Sequence, residues 1–386
     1  MKTVKLGDVC NILNGYAFKS DSYVEEGIRV IRIANVQKGY IEDNNPVFYP
    51  LDSKGLERYM LKEQDLLMSL TGNVGRVALI EREMLPAALN QRVACLRLKS
   101  DTILRKYLFH LLNSNFFEQQ CMKASKGVAQ KNISTEWIKE YEIPLYSIEK
   151  QQEIIRILDK TRYIISAKMK EIRMLDNLIK ARFVELFGDA IHNDKGWEND
   201  TVEKLCKEIY GGGTPSKSHP EYYEDGDIPW VSSKDMKTDV LTDSQIKINQ
   251  LGVDNSTARM VPINSVIMVI RSGILKHTLP VAINAVPITV NQDLKVFIPN
   301  ERVLTRFLAI QFKMHEKDIL SGVRAVTADN IEFNSLKQRE LIVPPIELQQ
   351  EYVTFLEQID KSKVAVQKSL DETQLLFDSL MQKYFG

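Results

Sequence analysis

The sequence has no charge to spare of either sign. Its 386 residues carry 51 Lys/Arg against 51 Asp/Glu, so no whole-chain positive field is available to gather nucleic acid. Any affinity for phosphates has to come from local patches or from partners. Cysteine is scarce: Cys10, Cys95, Cys121 and Cys206 show no Cys-x-x-Cys or Cys/His spacing. That excludes a disulfide framework and a zinc site, and the four read as reduced, mostly buried small apolar residues of a cytosolic protein. No secretory segment and no apolar run long enough to cross a bilayer is present, so a cytoplasmic protein with no membrane partner is expected. Catalytic signatures are missing as well: there is no GxGxxG, P-loop, HExxH or GxSxG. The Asn/Asp-Pro-Pro-aromatic signature of amino-methylating DNA enzymes is absent, because Val343-Pro344-Pro345-Ile346 lacks the leading polar residue. Gly211-Gly212-Gly213 runs into Thr214-Pro215 and Ser216-Lys217, which fits an irregular surface loop better than a phosphate-binding helix start. The five His are scattered, as structural histidines usually are. The expectation is a chain with no metal, no cofactor and no active site of its own.

What the sequence does have is a duplication. Residues 148–188 recur without a gap at 346–386, with eleven identities in 41 positions. Ile148-Glu149 falls on Ile346-Glu347, Gln151-Gln152-Glu153 on Gln349-Gln350-Glu351, and Phe187-Gly188 on Phe385-Gly386. A period this long signals two whole modules in tandem rather than a solenoid. The similarity continues upstream more loosely. Gly15-Tyr16 resembles Gly213-Thr214, Asn90-Gln91 recurs as Asn291-Gln292, and Asn132-Ile133 as Asn330-Ile331. Each half is thus a variable region of about 150 residues followed by one constant segment, which fits two domains. The boundaries fall at 1–147, 148–188, 189–345 and 346–386.

The constant segments read as long helices. A strict four-three spacing runs through Ile154, Leu158, Thr161, Ile165, Lys168, Ile172, Leu175, Ile179, Arg182 and Leu186. The second copy repeats it at Tyr352, Leu356, Ile359, Lys363, Val366, Leu370, Thr373, Phe377, Leu380 and Tyr384. A seam held for more than four heptads argues for a coiled coil, and the 33 residues from Ile154 to Leu186 would span about 50 Å. The cheapest partner for each helix is the other copy, and a pseudo-twofold makes the pair antiparallel. The alternative is two amphipathic helices, each packed on its own domain. Charge favours the pair weakly: 148–188 carries nine basic against six acidic residues, and 346–386 four against seven.

The variable regions read as mixed α/β with short strands. Apolar runs Ile28–Ile33, Leu66–Leu70, Val77–Ile80 and Val93–Leu98 alternate with turn residues, and Val266–Ile270, Val281–Ile283 and Leu294–Ile298 play the same part later. A helical stretch follows in each half, at Leu104–Gln120 and Leu304–Ile319. Asn90 and Asn291 fit turn formers, and Phe18, Tyr23, Tyr223 and Trp230 fit core or loop anchors.

Two variable regions, each followed by Pro, a short apolar stretch and Glu-x-Gln-Gln-Glu, resemble the specificity subunit of type I restriction–modification systems. The residues are Pro144, Ile148, Glu149 and Gln151, and Pro344, Ile346, Glu347 and Gln349. The resemblance includes Asn14-Gly15, the Gly-Gly-Gly-Thr-Pro-Ser run from Gly211, Ile228-Pro229-Trp230-Val231 and the closing Phe-Gly pairs, and it covers the whole chain. It implies two tandem target recognition domains separated by two long helices that form an antiparallel coiled coil. Each domain would read one half of a bipartite site on double-stranded DNA. The coiled coil would set the gap and dock two modification subunits, which bind S-adenosylmethionine and methylate adenine. Restriction (motor–nuclease) subunits would join for cleavage. One departure is the start: Trp197-Glu198 precedes the second domain, with no counterpart before the first. Service to a fused nuclease–methylase, a protein-binding scaffold and an enzyme in its own right stay open as rival readings.

Under this resemblance, polar residues of strand ends and loops are the candidates for DNA contact, because Arg, Asn, Gln and Ser match base edges. In the first half they are Lys19, Arg32, Asn35, Thr71, Asn73, Arg76, Gln91, Arg92, Lys126, Gln130 and Lys131. In the second they are Thr214, Ser216, Lys217, Ser232, Ser233, Lys234, Arg271, Ser272, Lys276, His277, Gln292, Arg324 and Thr327.

Overall fold

A computed structural model describes residues 2–127, 131–322, 324–325 and 329–386, with backbone alone at 324 and 325. The chain divides into two compact units, Met1–Lys170 with Gln367–Gly386, and Glu171–Val366. Each of the two long helices, Ile148–Phe187 and Ile346–Phe385, gives one end to each unit.

In the first unit a four-stranded antiparallel sheet runs Cys10–Asn14, Val93–Leu98, Leu66–Ser69, Val77–Leu79. Beside it a three-stranded sheet sets Ile28–Ile31 antiparallel to Phe48–Tyr49 and parallel to Ala87–Leu89. Lys2–Lys5 pairs with Glu142–Leu145 just before the first long helix. The second unit repeats the plan. Cys206–Gly211, Leu294–Pro299, Val266–Val269 and Val281–Asn284 form the main sheet, with Val240–Leu241 added in parallel at its edge. Ile228–Val231 lies between Lys247–Ile248 and Thr289–Val290, and Asn199–Thr201 pairs with Glu340–Ile342. Strands such as Leu66–Ser69 and Val266–Val269 are buried at every position, which explains their continuous apolar runs in place of alternation.

The helical stretches expected at Leu104–Gln120 and Leu304–Ile319 are each broken in two. Arg105–Leu112 ends before Ser114, whose hydroxyl accepts from Phe117 N at 3.1 Å and starts Asn115–Ala124. Thr305–Met314 and Glu316–Ser321 are divided at His315. Apolar periodicity continues through both breaks, so the pattern alone does not reveal them.

The repeated glutamines of the constant segments join helix to domain. Gln151 is fully buried; its Oε1 accepts from Leu104 N at 2.8 Å, and its Nε2 donates to Thr102 O and Tyr146 O at 2.8 and 2.9 Å. Gln349 repeats this with Leu304 N, Arg302 O and Pro344 O at 2.9, 2.9 and 2.8 Å. A carboxamide supplies one acceptor and two donors in a plane, which is what an orphan helix N–H and two turn carbonyls require. The closing Phe-Gly pairs have an equally local reason. Phe187 packs on Phe307 with ring centroids 4.9 Å apart, and Phe385 packs on Tyr107 at 5.5 Å, so each helix end plugs the same place on a domain helix.

Within each unit the long helices pair antiparallel. In the first, Ile154 and Leu158 are buried together with Met381, Tyr384 and Phe385, and Phe377 and Leu380 pack beside them. In the second, Tyr352 and Leu356 share a core with Phe183 and Phe187, joined by Ile179 and Leu186. Tyr352 Oη donates to Ile179 O at 3.0 Å, Arg182 meets Glu351 at 2.6 Å and Lys363 meets Asp176 at 2.7 Å. Ile359 is also buried. Towards the middle of the helices Ile165, Ile172, Leu175, Val366 and Leu370 are half-buried. Thr161 and Thr373 sit in the seam with hydroxyls turned back on Ile157 O and Ser369 O, at 2.9 and 2.6 Å.

The structural equivalence of the glycine turns differs from the sequence pairing by one residue. Tyr16 N donates to Leu89 O and Gly213 N to Val290 O, at 2.8 and 3.0 Å, so Gly15 corresponds to Gly212. A Cβ on either would lie within 2.2 Å of a carbonyl oxygen, of Asn90 or of Val290, which makes glycine obligatory at both. The run from Gly211 is accordingly not a loose surface loop. Gly211 ends a strand, and Gly213 is buried with its carbonyl accepting from Trp230 Nε1 at 2.9 Å.

Candidate nucleic-acid interface

Beyond the ends of the two central strands of each main sheet, three loops are stitched into one edge by backbone hydrogen bonds. In the first unit Leu70 N donates to Arg92 O at 3.0 Å, Gly72 N to Lys131 O at 2.8 Å, and Gln91 N to Tyr16 O at 2.9 Å. Thr71 and Lys126 each bridge Asn132. Candidates far apart in sequence are thus gathered: Thr71, Asn73, Gln91, Arg92, Lys126 and Lys131. All but the buried Thr71 are exposed. Arg92, Lys126 and Lys131 make no ion pair among the described residues. Arg76 is half-buried and spends its guanidinium on Gln37 Oε1.

The second unit builds the same edge. Ile270 N donates to Asp293 O at 2.9 Å and Ser272 N to Asp329 O at 3.0 Å, while Arg271 bridges Asn330. Arg271, Ser272, Lys276 and Gln292 meet here, and Thr214 Oγ1 donates to Gln292 Oε1. The backbone of Arg324 pairs with Asn330. Gln130, Thr327 and the side chain of Arg324 lie outside the described residues.

Other candidates lie elsewhere. Arg32 and Asn35 hold their own loop: Arg32 Nη2 donates to Asn45 O at 2.7 Å, while buried Asn35 accepts from Arg32 N at 2.9 Å and donates to Glu42 O at 2.8 Å. Ser232 caps its turn through Asp235 at 2.7 Å, with Ser233 half-buried and Lys234 exposed beside it. Ser216 meets Ser218 at 2.7 Å, and Lys19, Lys217 and His277 are exposed.

Two residues of this edge carry no mark in the sequence. Asp293 holds Arg271, with Nε and Nη2 both meeting Oδ1 at 2.8 and 2.7 Å, and Asp329 lies 3.8 Å from Lys276. A search for cations and amides passes over carboxylates, and only the Asn-Gln-Asp run after Val290 could have pointed to Asp293. Asn291 behaves as the expected turn former: buried, it accepts from Asp293 N and donates to Asp293 Oδ2, both at 3.1 Å.

The thiols offer no reactivity. Burial pushes Cys10, Cys121 and Cys206 up to about 12 and Cys95 higher still, so all four stay protonated and unpaired. Among the described residues no helix is long and apolar enough to cross a membrane.

The model of the type I restriction modification DNA specificity domain matches twice, at residues 1–174 and 194–373. The specificity subunit of the type I restriction enzyme EcoR124I/EcoR124II of Escherichia coli is 31% identical over 272 residues, covering 67% of this chain and 63% of that protein. The Escherichia coli EcoAI specificity subunit is 34% identical over 191 residues, 46% of this chain and 32% of that protein. The chain therefore spans less than two thirds of either relative. In fold it resembles a type I restriction–modification S subunit from M. genitalium, with TM-score 0.59, 14% identity, and 100% and 96% of the two chains covered. A structure solved for the assembly and conformational transition of a type I system gives TM-score 0.62 at 16% identity, covering 100% and 97%. With both halves matched by one family model, the chain belongs to the type I restriction–modification DNA specificity family.

Proposed function

We propose that this chain is the non-catalytic DNA-recognition subunit of a cytoplasmic type I restriction–modification complex. Each domain reads one half of a bipartite duplex site. The chain carries two adenine-methyltransferase subunits, which bring S-adenosylmethionine, and motor–nuclease subunits join the complex for cleavage.

The observation that carries this reading is the polar edge built twice on one scaffold with different side chains, Thr71 and Arg92 in one unit against Arg271 and Asp293 in the other. Recognition of two unlike half-sites calls for a common frame with independent edges. The long helices support the docking role. Tyr163, Val364 and Leu375 leave at least 70% of their surface exposed away from the seam, and Met174 and Leu376 more than half. Apolar side chains on the outer faces of otherwise paired helices suit partner helices.

Mapping methylated adenines in the native genome, with and without the gene, tests the proposal. A bipartite motif should vanish with the gene. Exchanging residues 1–147 for the matching region of a relative should change one half-site and leave the other intact. Methyl transfer by the purified chain alone, or a coordinated change of both half-sites, would overturn the reading.

A further inference from the structure

The Arg271 side chain in the second unit is held in a way no described residue of the first unit's edge is. Asp293 Oδ1 accepts from Nε and Nη2 of one guanidinium edge, at 2.8 and 2.7 Å. Asp293 is itself fixed on both sides: its Oδ2 accepts from Asn291 Nδ2, its N donates to Asn291 Oδ1, and its carbonyl accepts from Ile270 N. Asn291 is buried, and its N donates to Val231 O at 2.9 Å, which ties the chain of contacts to the neighbouring sheet.

Five N–H bonds leave a guanidinium in a fixed plane. With the Nε–Nη2 edge occupied, the remaining Nη1 and Nη2 hydrogens form a parallel fork at the far end. The Arg271 side chain is half exposed while Asp293 is mostly covered, so the carboxylate grips from the protein side and the fork stays on the solvent side. A parallel fork of this kind matches O6 and N7 of guanine in the major groove. A phosphate contact would be weakened by this pairing, because Asp293 offsets the positive charge on which phosphate affinity depends, whereas a base edge is read by the geometry of the fork.

We propose that Arg271 reads a guanine in the half-site recognised by the second unit, and that Asp293, itself held by Asn291, is the positioning residue that presents its fork. The inference rests on the DNA-recognition role proposed above. In the first unit the corresponding places hold Thr71 and Arg92, with the arginine on the opposite loop and in no ion pair among the described residues. The first half-site is therefore read by different chemistry.

The test uses the full chain assembled with its methyltransferase partners, and duplexes carrying the wild-type target randomised one position at a time. For the wild type, one position in one half-site should require guanine. Arg271→Ala should lower discrimination at that position by roughly 5- to 150-fold, the range of one bidentate contact, with every other position unchanged. Arg271→Lys should fail to restore it, since a lysine has no fork. Asp293→Asn should relax the same position by a smaller factor with the melting temperature unchanged, a pattern that a merely structural ion pair would not produce. Three results would overturn the proposal: a half-site without guanine, a preference surviving in Arg271→Ala, or uniform weakening on all duplexes with the salt slope reduced by about one, which marks a phosphate contact. A wild-type complex with no sequence preference would instead overturn the recognition role, which keeps the two failures distinct.

Discussion

At the outer edge of the first unit, Arg92, Lys126 and Lys131 make no ion pair among the described residues, whereas in the second unit Arg271 and Lys276 meet Asp293 and Asp329. Beneath these edges the units are nearly interchangeable, with Gln151 and Gln349 making the same three hydrogen bonds and Phe385 and Phe187 filling the same place. Buried polar groups are constrained because each unmet donor or acceptor is costly, while exposed groups can change with little loss of stability. The duplication has therefore kept the frame and let the two edges diverge, one as a free cationic rim and the other as aimed, neutralised pairs.

The largest effects should come from the shared frame. Leu158→Asp and Leu356→Asp each place a charge at a fully buried position and should cost about 4 kcal/mol. Ile172→Asp and Leu370→Asp, at half-buried central positions, should cost only about 1–2 kcal/mol. On the proposed function, the latter pair would release both methyltransferase partners while leaving each unit folded. Urea unfolding with mass measurement of the complex separates these outcomes, and an equal cost at all four positions would refute the graded seam. Next comes the glutamine pair. Gln151→Ala and Gln349→Ala leave the same three groups unmet and should each lower stability by about 3 kcal/mol. A loss confined to one of them would break the equivalence of the units.

The edges should separate the units where the frame does not. Replacing Arg92, Lys126 and Lys131 together by Ala should reduce the slope of log affinity against log salt by up to about 2.7, at about 0.9 per phosphate contact. Lys276→Ala should change it by less, since Asp329 already faces that ammonium. Titrations of the assembled complex across salt concentrations would show equal slopes if the rims were alike.

The smallest effect is a difference in acid sensitivity. Burial holds the His110 imidazole below its ordinary 6.5, against the pull of Asp159 2.8 Å away, and Ile310 takes the corresponding place in the second unit. The unfolded chain then takes up this proton before the folded one. Stability from His110 is present above 6.5 and lost as pH falls through the folded value. His110→Gln should flatten that part of the pH dependence of the unfolding midpoint, and an unchanged pH profile would remove His110 as its source.

Much of this was legible from residues alone because it is periodic or repeated. The four-three spacing marks the seam, since a face that recurs every three to four residues can be buried in only one way. The strand at Val93–Leu98 shows as an apolar run interrupted only by Arg97. The gathering of Thr71, Arg92 and Lys131 did not show, because contacts made through backbone groups leave no side-chain signature. The single-residue offset at Gly15 and Gly212 escaped for a related reason: three consecutive glycines look alike until one of them must fit under the Val290 carbonyl.

By itself, the sequence determined that the protein is built twice, that two long helices carry a regularly spaced, mostly apolar face, and that no catalytic motif accompanies them, because all three are properties of order and composition along the chain. Only the tertiary structure decided which end of each helix belongs to which unit, why the repeated glutamine is a glutamine, and that Asp293 stands behind Arg271. These depend on groups 22 to 173 residues apart meeting within hydrogen-bond distance, and nothing in a linear pattern specifies that geometry.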